Sequence, residues 1–135
     1  MEKLFWDEKY ETGIDVIDFQ HRILLERTND LIDLVNKNEI QDNMFPILIF
    51  LEDYTHYHFD TEEQFFDSFD YINKEKHLQE HREFIKKIIE FKEQYAKGTV
   101  KIDKDLLDYL LNWLISHILD TDMNFTKNLM KNINN

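Results

Sequence analysis

Two histidines and two glutamates stand within residues 56–66, HYHFDTEEQFF. Side chains four apart on a helix lie one above the other, so His58 and Glu62 share a face. His56 is two residues from His58, about 200° around the helix, and points to the opposite side. The stretch HLQEH repeats the four-residue spacing in His77 and His81. Imidazole nitrogens and a carboxylate on shared faces form a donor set for a metal ion. A polar cluster without a metal would have to bear its own desolvation.

The elements that must carry these residues follow from composition and periodicity. The 135 residues include two glycines and one proline, which favours long uninterrupted helices. Four blocks with helical periodicity are expected, at about 17–37, 42–66, 74–96 and 103–132. The first presents Ile17, His21, Leu24, Leu25, Thr28, Leu31, Ile32 and Val35 on one stripe, with Asp15 or Asp18 as its cap. The second presents Leu48, Leu51, Thr55, His58, Glu62 and Phe65, with Pro46 near its start. The third presents His77, His81, Phe84, Ile88, Phe91 and Tyr95, with Asn73 as cap and Gly98 as terminator. The fourth presents Leu106, Leu110, Trp113 and His117. Short connections make neighbours antiparallel, so the expected architecture is an all-α, up-down-up-down four-helix bundle. Residues 1–16 lack periodicity and are expected as an extended arm, with Leu4, Phe5, Trp6 and Tyr10 packed on the bundle.

Five of the six histidines, at 21, 58, 77, 81 and 117, therefore occupy positions where leucine or isoleucine would serve. A single such histidine is more often a satisfied core residue than a ligand. Five of them with an inward Glu62 would be costly in a core that binds nothing. A metal resolves the conflict by taking neutral imidazole and carboxylate as ligands. The set is too large for one tetrahedral zinc and suits two six-coordinate ions. Its nitrogen-rich composition with a carboxylate favours iron.

The motifs GIDVIDFQHRILL, HFDTEEQFF, HLQEH and WLISHILDTD, in this order from about residue 4 to 125, resemble the hemerythrin family in its single-domain bacterial form. The resemblance implies seven metal ligands: His21, His58, Glu62, His77, His81, His117 and Asp122. It implies two iron ions, one held by His77, His81 and His117 and the other by His21 and His58. Glu62, Asp122 and an oxo or hydroxo group would bridge them. It further implies reversible dioxygen binding at the open position of the two-histidine iron, for carriage, storage or delivery rather than catalysis. Leu24, Phe59, Trp113, Leu114 and Ile118 match the family's oxygen pocket, and all five also read as ordinary core. Asp122 lies five residues after His117, about 140° away on a regular helix. Asp120 would be better placed on an ideal helix. The family pattern selects Asp122, and a wide π-type turn would bring it round.

Three other readings fit parts of the pattern. Ferritin-like diiron carboxylate enzymes use Glu-x-x-His pairs, and no histidine here has glutamate three residues before it. An iron–sulfur repair or redox relative of hemerythrin is disfavoured by the absence of cysteine. A sensor of oxygen or redox state, or a weak peroxidase or nitric oxide scavenger, would use the same site. A sensor would also need a protein partner, for which acidic faces such as DKDLLD are candidates.

The formal net charge is −12, which argues against nucleic acid and anionic membranes as partners. The lack of cysteine excludes disulfides, thiolate metal sites and cysteine nucleophiles. No stretch is long enough to span a bilayer, and the N-terminus has no apolar leader. A monomeric cytoplasmic protein is the expectation.

Overall fold

Gly13 carries the first structural decision of the chain. Its φ of +89° turns the arm into the first helix, a conformation side chains rarely adopt. The computed structural model describes residues 3–37, 40–98 and 104–134, without the side chains of 40–44, 104–107 and 134. It places α1 at Asp15–Asn36, α2 at Ile40–Phe66 and α3 at Lys74–Ala96. The fourth rod is α4 at Lys104–Ser116, a π-helical segment at His117–Asp122 and α5 at Met123–Asn134. These rods form a four-helix bundle in which α1 packs on α2 and α4, and α2 packs on α3.

The apolar stripes face the interior. Ile32, Leu48, Leu51, Phe84, Ile88 and Leu110 belong to one buried cluster, with Trp113 against it. Tyr10, Leu24, Leu25, Leu114 and Ile118 make a second, and Ile17, Phe66, Tyr71, Phe125 and Leu129 a third. The expected start at Asp103 lies outside the described residues, as does the side chain of Leu106.

The helix ends differ from expectation. Neither Asp15 nor Asp18 caps α1, because the N-cap position belongs to Ile14. Asp18 instead faces back and accepts hydrogen bonds from Thr12 N, Thr12 Oγ1 and Gly13 N. It ties the arm to the first turn. Asn73 occupies the N-cap position of α3, but its amide donates to Asn124 Oδ1 across the bundle. Pro46 lies inside α2, which begins earlier than Asp42. Gly98, at φ +70°, does follow the end of α3.

In the described part of the arm, Leu4, Trp6 and Tyr10 pack inward and Phe5 does not. Asn29 on α1 holds both the N–H and the carbonyl of Leu4, and Trp6 and Leu4 lie against the Tyr10 cluster. Phe5 is 79% exposed. Alternation explains this: with Leu4 and Trp6 directed inward, the residue between them faces solvent. A 3-10 turn at Glu8–Tyr10, capped by Asp7, then buries the Tyr10 ring.

Candidate metal centre

The four rods bring the seven candidate side chains to one level of the interior. His21 comes from α1, His58 and Glu62 from α2, His77 and His81 from α3, and His117 and Asp122 from the π segment. All seven are buried. His56 faces outward, as its phase requires. Asp120 is exposed while Asp122 has no exposed surface. The expected wide turn is present at His117–Asp122, and the extra residue carries Asp122 round to the face His117 occupies.

The donor atoms fall into two overlapping groups. Glu62, His77, His81, His117 and Asp122 place one donor atom each within 4.8 Å of one another, and His21, His58 and Asp122 form the second group on the same criterion. Asp122 belongs to both. Its Oδ2 lies 2.6 Å from His21 Nε2 and 3.4 Å from His58 Nε2. Its Oδ1 lies 2.9 Å from His117 Nε2 and 3.1 Å from His77 Nε2. Glu62 also spans the groups: Oε1 is 3.0 Å from His58 Nε2 and 3.4 Å from those of His81 and His117. Every inward histidine thus directs Nε2 at a shared carboxylate pair.

Aromatic rings fix the orientation of several imidazoles. Phe59 stacks on His81 at 3.8 Å and 7°. Trp113 stacks on His117 at 4.5 Å and 12°. Leu24, Leu114 and Ile118 lie in the neighbouring apolar cluster. Sequence reasoning passed over three residues that touch the histidines from outside or support such a contact. Gln20 Oε1 lies 2.7 Å from His58 Nδ1, and Gln20 Nε2 donates to Thr61 Oγ1 at 2.9 Å. The Tyr71 hydroxyl lies 3.1 Å from His77 Nδ1. A polar Gln20 beside the ligand-bearing stripe was the available signal. Tyr71, in the loop before α3, gave none.

Burial and mutual charge set the electrostatics of the cluster. Burial lowers the affinity of His21 for a proton below the ordinary histidine value. Burial opposes charge at His58 and His117 too, but Glu62 and Asp122 override it, raising His58 to about 9 and His117 to about 10. Burial would raise Asp122, yet His117 and the surrounding hydrogen bonds hold it well below the usual carboxylate range. Even so, Glu62 Oε2, Asp122 Oδ1, and Nε2 of His77 and His81 find no hydrogen bond among the described residues. Buried polar atoms are normally paired. Four convergent lone-pair donors left over fit metal ligation, and imidazole nitrogen with carboxylate oxygen suits iron.

The chain is similar over most of its length to known proteins. The family profile "Hemerythrin HHE cation binding domain" matches residues 12–128. The bacteriohemerythrin of Clostridium acetobutylicum is 34% identical over 125 residues, covering 89% of this chain and 96% of its own. Myohemerythrin-1 of Phascolopsis gouldii is 29% identical over 125 residues, covering 92% of each chain. A crystal structure of wild-type hemerythrin superposes with a TM-score of 0.85 at 22% identity, covering 95% of this chain and 98% of that one. Among the described residues no helix is long and apolar enough to cross a membrane.

Proposed function

The chain belongs to the hemerythrin family, and from that premise we propose that it is a non-heme diiron protein that binds dioxygen reversibly. The observation that carries this reading is the pair of unequal histidine groups joined by Asp122. His77, His81 and His117 would hold one iron, and His21 and His58 the other, with Glu62 and Asp122 shared between them. Such a pair of irons, when bound, supplies reversible two-electron exchange with dioxygen. The two-histidine group offers one side chain fewer, which leaves room for a small ligand on that side.

The surrounding residues suit reversibility, which requires that protons and water stay out. A void of about 10 Å³ is lined by Leu24, Thr28, Thr55, Leu110 and Leu114, among others. Leu24 is one turn from His21, and Thr55 one turn from His58. Both threonine hydroxyls on this lining are engaged: Thr28 donates to the carbonyl of Leu24 at 2.8 Å and Thr55 to that of Leu51 at 2.6 Å. Neither offers a free proton to this void. Phe59 and Trp113 cover the ring faces of His81 and His117.

Iron analysis together with absorption spectra through cycles of air and nitrogen tests the proposal. It expects two irons per chain and charge-transfer bands that appear on oxygenation and vanish on deoxygenation. Bands that persist under nitrogen, or a chain holding no iron, would overturn it.

A further inference from the structure

Two of the five inward histidines have a hydrogen-bond partner on the nitrogen facing away from the cluster, His58 through Gln20 and His77 through Tyr71. Among the described residues, Nδ1 of His21, His81 and His117 has none. The Gln20 contact is informative because its hydrogens can be assigned from outside inward. Thr61 Oγ1 lies 3.0 Å from the carbonyl of Tyr57, which can only accept, so the hydroxyl proton goes there. Thr61 Oγ1 then has only lone pairs to offer Gln20. The Gln20 amide must therefore present Nε2 to Thr61 and Oε1 to His58. An amide oxygen only accepts, so His58 Nδ1 carries a hydrogen. A neutral imidazole has only one N–H, and Nε2 is left with its lone pair directed at the cluster.

Gln20 is 1% exposed, so water does not compete for this contact. Its partner could in principle have been a carboxylate, which would draw the Nδ1 proton and make the ring a stronger electron donor. A neutral amide orients the ring without doing so. We propose that Gln20 is a positioning residue for the metal centre: the chain Tyr57 carbonyl–Thr61–Gln20 holds His58 in its metal-binding tautomer and limits its donor strength. This rests on reading the cluster as a diiron site. Relative to a carboxylate at this position, the amide favours the reduced form of the centre.

The test compares Gln20→Leu, Gln20→Glu and Thr61→Val with the unaltered full-length chain, all loaded with iron. Two quantities are read: the rate of iron release to a chelator and the midpoint potential of the iron centre. Gln20→Leu should release iron about 10–100-fold faster, the usual cost of losing an outer partner of a ligating histidine. Thr61→Val should fall between it and the unaltered chain. Gln20→Glu should recover retention, because a carboxylate also accepts from Nδ1–H, while shifting the potential downward. Unchanged iron release in Gln20→Leu, or an unchanged potential in Gln20→Glu, would overturn the proposal even if melting temperatures fell. Should Gln20→Leu fail to fold, Gln20→Glu and Thr61→Val still decide. Loss of reversible oxygenation in the unaltered chain would count against the dioxygen reading alone, since iron release and potential do not depend on it.

Discussion

His117 and Asp122 are five residues apart, and their Nε2 and Oδ1 atoms stand 2.9 Å from one another. A regular α-helix would separate the two directions by about 140°. The π segment at His117–Asp122 removes that separation and leaves Asp120 on the surface. Asp122→Ala should therefore strip one shared oxygen donor from each histidine group. Five histidines and Glu62 should still retain iron, but with water admitted the oxygenated protein should autoxidise rapidly instead of releasing dioxygen. Asp120→Ala should behave as the unaltered chain. Stopped-flow absorption measurements would check both, and the reverse pattern would mean that the π turn does not serve the metal.

The opposing directions of His56 and His58 give a second expectation. His58→Ala and His81→Ala should each fall below two irons per chain, whereas His56→Ala should keep two. Iron analysis of the purified variants is sufficient. Loss of iron in His56→Ala alone would overturn the phase of α2.

Metal removal should weaken the fold. Without a cation, Glu62, Asp122 and five histidines share a dry interior, and their mutual pairing offsets only part of the desolvation cost. An ion present at about 1,000 times its Kd adds about 4 kcal/mol, which at this chain length corresponds to about 10 °C or more in Tm. Calorimetry of iron-loaded and chelator-treated protein would measure it, and equal Tm values would contradict ligation by the core.

Protons should leave as metal enters. Glu62 and Asp122 raise His58 to about 9 and His117 to about 10, above the ordinary 6.5. In the metal-free chain both should be charged at neutral pH, and that part of its stability should be full below 6.5 and lost as pH rises through 9 to 10. A metal at Nε2 must displace these protons. Zinc titration calorimetry in buffers of differing ionisation enthalpy should show about two protons released by this pair at pH 7, and fewer at pH 10. No release at pH 7 would contradict the charged state of the pair.

The convergence of these side chains was legible because helical phase is a property of sequence spacing. His21, His58, Glu62, His77 and His81 all lie on stripes that also carry leucine, isoleucine and phenylalanine, so burial and convergence followed from the period. Asp122 broke that period and became legible only through the family pattern, since a π turn has no strong residue signature. Gln20 escaped notice because it flanks the stripe rather than lying on it; its contact depends on how closely α1 approaches α2. Tyr71 escaped because a loop has no period to place its side chain. Asp15 and Asp18 both suit a cap by residue type, yet the positive φ of Gly13 returns the arm over the first turn and gives the Asp18 carboxylate different donors.

The central claim, two unequal irons sharing Asp122 and Glu62, is tested most directly by Mössbauer spectroscopy of the protein loaded with iron-57. Two histidine groups of different size should give two distinct iron signals of equal area in the oxygenated protein, with no net magnetic moment at low temperature because the shared ligands couple the ions. A single signal from one iron per chain, or two uncoupled magnetic ions, would contradict it.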